Sequence, residues 1–147
     1  GRPAFVTASV NAFVPKPHTA FQWEAMDDIE ALSRKQDILK RAIRSRRIEL
    51  DFHSLRMGHI EAALSRGDRR LSGVIYNAWE AGARFDGWQN LFDYGRWTAA
   101  FAKAGLDPAF YVTRRRDSSE VLPWDFIETG LSKSALLKLA QNFSSSL

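Results

Sequence analysis

A chain of 147 residues with 45% hydrophobic content, ten Phe and five Trp carries enough apolar material for one core. That suits one domain, or a small domain with an appended partial layer. The absence of cysteine excludes a disulfide framework and is compatible with a cytoplasmic protein. A net charge of +4 and a pI of about 9.7 are mildly basic, which admits an RNA partner without diagnosing one. No apolar run approaches the length of a membrane span and no signal-peptide pattern opens the chain, so no membrane partner is expected.

Residues 1–4 read as a loop. From Val6, apolar positions at Ala8, Val10, Ala12 and Val14 alternate with Thr7, Ser9, Asn11 and Phe13, which predicts a strand. Pro15 and Pro17 lack the amide hydrogen of a ladder and restrict the residue before them. The segment 15–23 is therefore expected as a stiff extended arm carrying Lys16, His18, Thr19, Gln22 and Trp23. Such an arm suits the wall of an active site in an α/β barrel. An edge strand running into a surface loop fits the same residues. Asp27 is the expected cap of the next helix, with Glu30 as capping-box partner and Ile29, Leu32, Gln36, Leu39 and Ile43 on one face. Lys40, Arg41, Arg44, Arg46 and Arg47 crowd its end, where the helix dipole favours positive charge. Ile48 to Phe52 (IELDF) alternates again and predicts a second strand, parallel to the first by a right-handed crossover.

The signals after Ser54 are helical. Ile60, Ala63 and Leu64 form a short face that stops at Gly67, expected as a left-handed cap. Asp68 should cap a helix burying Leu71, Ile75, Ala78 and Trp79 and ending at Gly82. A turn-rich stretch supplies Phe85, Trp88 and Phe92, and Asp93 caps a helix with Trp97, Phe101 and Ala104 on one side. Gly105 should end it and Pro108 block continuation, leaving residues 111–124 irregular. Ser132 opens a last helix with Leu136, Leu137, Ala140 and Phe143 on its apolar face, and the serines beyond should fray.

The stretch VNAFVPKPHTAFQW resembles the last-but-one barrel strand of radical S-adenosylmethionine (SAM) enzymes, in particular the group with an N-terminal cobalamin-binding domain. The segments LSRGDRRLSGVIYNAWEAGARFDGW, FAKAGLDPAFY and LPWDFIETGLSK, in that order, resemble the C-terminal region of one family in that group. Ala20 departs from the pattern, which usually has a second proline there. The resemblance implies a 4Fe–4S cluster and SAM in a parent protein, with cobalamin left open. This chain has neither the CxxxCxxC loop nor a cobalamin signature DxHxxG, and without thiolates it builds no such cluster.

The expected architecture is therefore an α/β fragment, mostly α. Residues 1–53 form the terminal βαβ unit of a partial TIM-type barrel, and residues 54–147 a helical C-terminal domain. The expected role is to close the barrel of the parent enzyme and shape its substrate side with Lys16, His18, Thr19, Gln22 and Trp23. The fragment itself would hold no catalytic residue, metal or cofactor. Its partner would be the rest of the parent, or a second copy bound through an open strand edge.

Three arginine groups admit other chemistry. Arg66, Arg69 and Arg70 flank a tight turn whose amides suit a phosphate, and an Asp68 cap paired with an arginine explains them equally. Arg114, Arg115 and Arg116 lie near Tyr111 and Trp124, a combination suited to RNA, while charge runs are commonly solvated. A basic helical adaptor for RNA or a translation-associated protein is thus the competing expectation. Arg84, Asp86 and Trp88 are read as fixing a turn, and His53 and His59 as surface or core histidines.

Overall fold

In the computed structural model, which describes residues 4–144, the chain runs β1 (Val6–Val10), α1 (Ile29–Ala42), β2 (Ile48–Phe52) and α2 (Leu55–Ser65). It continues through α3 (Leu71–Glu80), α4 (Tyr94–Lys103), α5 (Pro108–Val112) and α6 (Lys133–Ser144). The protein is α/β and mostly helical. β1 and β2 pair in parallel, Val6 opposite Ile48 through Val10 opposite Phe52, as the alternating patterns predict. β1 stops at Val10, earlier than the alternation through Val14 implies.

The segment 15–23 does not run out as an extended arm. Residues 17–24 coil into consecutive turns, and His18 takes φ 56°, a left-handed conformation uncommon for a residue with a Cβ. The carbonyl of Thr19 accepts from the Gln22 amide and that of Phe21 from the Glu24 amide. The prolines fix their own φ, but nothing in them prevents a turn immediately afterwards.

Asp28, not Asp27, caps α1: its carboxylate accepts from the Ala31 amide at 2.7 Å. Asp28 directly precedes the first helical residue in an extended conformation, the geometry a cap requires. Asp27 pairs with Lys35 instead, and Glu30 with Arg34. Of the predicted face only Leu32 is buried. Leu39 is exposed, because two strands offer too little surface to cover a helix of this length.

α2 lies at the centre, against α1, α4 and α5, and buries Ile60, Ala62 and Ala63. Gly67 is not left-handed. Its missing Cβ matters for another reason: such an atom would lie 1.9 Å from Leu71 Cδ1 and 2.9 Å from the Ala63 carbonyl oxygen. α3 then buries Leu71, Val74 and Ala78, while Ile75 and Trp79 stay exposed. Asp68 does not cap α3: its carboxylate accepts from the Arg70 amide at 2.9 Å, but Arg70 itself directly precedes the helix and no side chain caps its first turn. Gly82 and Gly105 do end α3 and α4 in the left-handed conformation.

Asp93 caps α4 through the Arg96 amide, and Trp97 and Phe101 enter the core. Phe92 packs against this core, but Phe85 and Trp88 face solvent. Pro108 does not merely end a helix. With Asp107 as cap it opens α5, placing Tyr111 and Val112 in the core where an irregular segment was expected. Ser132 opens α6, its hydroxyl accepting from the Ala135 amide, and Leu136 is buried. Residues 145–147, where fraying was expected, lie outside the described residues. Trp23, Leu122, Trp124 and Leu136 make a second, smaller core beside the main one.

Candidate functional site

The folded arm distributes its five candidate residues rather than presenting them together. Lys16 turns toward α2 and pairs with Glu61. Thr19 is used locally: its hydroxyl donates to the Lys16 carbonyl at 2.8 Å and accepts from the Phe21 amide. Gln22 is buried. Its Oε1 accepts from Trp124 Nε1 at 2.7 Å and from the His18 amide at 3.2 Å. Trp23 enters the second core, and its carbonyl accepts from the Arg116 amide at 2.8 Å.

Two of these residues do share a cavity. His18 and Gln22 line a 370 Å³ space closed on its other side by Asp125, Glu128 and the start of α6. His18 Nε2 is buried there without a hydrogen-bond partner. Asp125 is held by Lys133 at 2.6 Å and by the Leu122 amide at 2.9 Å, so its charge is compensated. Lys133 also donates to the Glu120 carbonyl. No local signal in the sequence foretells this constellation, since residues 18–22 and 125–133 meet only through the second core.

The arginines separate into two kinds. Arg70 forks onto Asp68 and lies over the Phe110 and Tyr111 rings, which lowers the Asp68 carboxyl below its ordinary range through the hydrogen bond. Arg69 is exposed. Arg114 forks onto Glu120 with both contacts at 2.7 Å, and Arg115 reaches Glu24 at 3.0 Å. Arg66 and Arg116 are different. They are 0% and 4% exposed, and Arg116 Nη2 donates to the Arg66 carbonyl at 2.9 Å. Burial, then the charges of Arg116 and Arg114, lower Arg66 to about 10, so it remains cationic at neutral pH. An unpaired buried cation costs on the order of several kcal/mol. Residues 114–116 therefore form no solvent-facing cationic strip: one is buried and the other two are ion-paired.

No family model, curated protein or solved structure matches the chain.

The other polar groups have structural work. His59 is a core histidine with Nδ1 at 3.4 Å from the Tyr94 hydroxyl, and burial lowers its pKa against the opposing pull of Asp107. His53 is exposed. Asp86 accepts from Trp97 Nε1 at 2.6 Å and Arg84 donates to the Trp79 and Ala83 carbonyls, so both fix the turn after α3. Among the described residues no three His, Cys, Asp or Glu side chains are grouped to hold a metal. None of the described helices is long and apolar enough to cross a membrane.

Proposed function

We propose that the chain is the C-terminal region of a radical SAM iron–sulfur oxidoreductase, where its βαβ unit completes the barrel and its turn-rich arm shapes the substrate side. The observation that carries this reading is the two-stranded parallel sheet. Parallel strands belong to sheets covered on both faces, and two of them make no independent sheet. Here Val6 and Ile48, paired at one end of the sheet, are 55% and 40% exposed, and Ile38 on α1 is also exposed. A sheet so short, with apolar residues open to solvent, is the kind of unit that continues into neighbouring strands.

Within that reading the chain contributes no catalytic group. It has no cysteine, so its residues do not fit a 4Fe–4S cluster, and ligands for cluster and SAM belong to other parts of the parent. His18 and Gln22, at the cavity beside α6, are its contribution to the substrate side. The alternative of an RNA adaptor working through residues 114–116 draws less support, because Arg116 is buried and Arg114 is forked onto Glu120.

The coding sequence ahead of Gly1 tests the proposal. An in-frame CxxxCxxC is expected, with reductive cleavage of SAM to 5′-deoxyadenosine by the longer product. A start codon directly ahead of Gly1 would overturn it.

A further inference from the structure

Seven buried nitrogen atoms in one region have no hydrogen-bond partner: Trp23 Nε1, Arg66 Nε, Nη1 and Nη2, Arg114 Nε, and Arg116 Nε and Nη1. Three of the four residues are joined through Arg116. Arg116 bonds through its amide to the Trp23 carbonyl and through Nη2 to the Arg66 carbonyl, and its guanidinium lies over the Trp124 ring at 5.4 Å. All seven atoms are N–H donors that cannot accept. What the region lacks is an acceptor.

The nearby carboxylates do not supply it. Glu120 is taken by Arg114, Glu24 by Arg115, and Asp117 accepts from the Ser119 amide and hydroxyl. Pairing Arg114 with Glu120 and Arg115 with Glu24 leaves Arg66 and Arg116 as two unmatched buried cations. A monoanion would compensate one of them, and a dianion both. Trp23 and Arg116 line an adjoining cleft of 690 Å³ with Arg115 and Ser118, and its wall also carries Glu24 and Asp117, the carboxylates engaged by Arg115 and Ser119.

We propose that this cleft leads to a binding site for a phosphate-type dianion, inorganic phosphate or a terminal phosphate monoester, held by Arg116 and Trp23 Nε1 with Arg66 supplying the second charge. A guanidinium edge matches two oxygens of such a group, and the Trp Nε1 donor adds a third contact. The donor atoms are covered, so a side chain of the cleft wall must swing aside to admit the ligand. This inference does not rest on the barrel reading and holds for the chain by itself.

The test is titration of the 147-residue chain with inorganic phosphate at constant ionic strength, followed by tryptophan fluorescence and by phosphorus NMR. Saturable binding is expected, weakening as the pH falls and phosphate loses its second charge. Acetate should bind at least about 10-fold more weakly, since it brings one charge to two cations. Arg116→Lys keeps the charge but loses the fork, and should weaken phosphate at least about 10-fold, while Arg115→Gln on the exposed rim changes it less than about 3-fold. If Arg116→Lys fails to fold, the phosphate–acetate comparison on the unaltered chain decides. A terminal monoester such as AMP should compete with phosphate. No saturation, an equal response to chloride, or a folded Arg116→Lys that binds as well would each overturn the proposal. Binding of a single-stranded RNA that phosphate does not displace would overturn it too.

Discussion

The indole Nε1 of Trp124 donates to Gln22 Oε1 at 2.7 Å, joining two residues 102 positions apart. The same oxygen accepts the His18 amide, so one buried side chain fixes both the arm's left-handed turn and the second core. The βαβ unit is thereby tied to the last part of the chain by a polar contact as well as by packing.

Gln22→Ala is expected to cost about 1–3 kcal/mol, because it strands the buried indole N–H as well as removing a bond. Trp124→Phe removes the donor but leaves Gln22 Oε1 to the His18 amide, and the double variant should cost less than the sum of the singles. Urea unfolding of all three variants measures this. Additive losses would mean that the contact carries no coupling.

Two glycines give opposite expectations. Gly67→Ala places a Cβ against Leu71 and the Ala63 carbonyl, and backbone gives way poorly, so a loss of about 1–3 kcal/mol follows. Gly73 lies within α3, and a Cβ added there would have nothing within 4 Å. Gly73→Ala should stabilise by about 0.4–1 kcal/mol through the unfolded chain's lost freedom. Thermal midpoints of the two variants should move in opposite directions.

Acid should weaken the fold in two steps. His59 has a lowered pKa, from burial, so the unfolded chain takes up its proton first. The stability it contributes is complete above the unfolded value, near 6.5, and is lost as the pH falls from there through the folded value. Glu120 and Asp68 are lowered by their hydrogen bonds to Arg114 and Arg70, so their contribution is present above the ordinary carboxylate range and is lost below it. Urea midpoints should therefore fall as the pH drops below the ordinary histidine value of 6.5, and again as it drops through the ordinary carboxylate range. His59→Gln should flatten the upper step and leave the lower one. An unchanged upper step would assign it to another group.

What can be read from the residues depends on whether the signal is local. The alternation in IELDF marks β2 at both ends, and Asp93 with Gly105 bounds α4, since caps act through their own turn. Periodicity finds Leu71 and Ala78 on the buried face of α3 but puts Ile75 and Trp79 there in place of Val74, because all three are apolar and the pattern cannot choose between adjacent stripes. Gly67 suggests a left-handed conformation when its reason is a close approach. The burial of Arg66 and Arg116 has no local signature at all: each sits in a charge run of the kind that usually faces water. Their burial goes with contacts between distant parts of the chain, from the Arg116 amide to the Trp23 carbonyl and from Arg116 Nη2 to the Arg66 carbonyl.

The sheet supplies the remaining prediction. β1 and β2 have no other strand partner among the described residues, so each keeps an outer edge of unpaired N–H and C=O groups. Phe5, just before β1, is 75% exposed. Such an edge recruits further strands. Produced by itself, the chain should self-associate with a mass that rises with concentration in sedimentation. Val6→Lys puts a charge at an already exposed position, so it should shift the population toward monomer while leaving the helical circular dichroism unchanged. Joined to the preceding segment of the proposed parent, the same surface should be occupied and the association lost. A chain that stays monomeric at every concentration, with Val6→Lys indistinguishable from it, would mean that the sheet is sufficient as it stands. The barrel reading would then lose the observation that supports it.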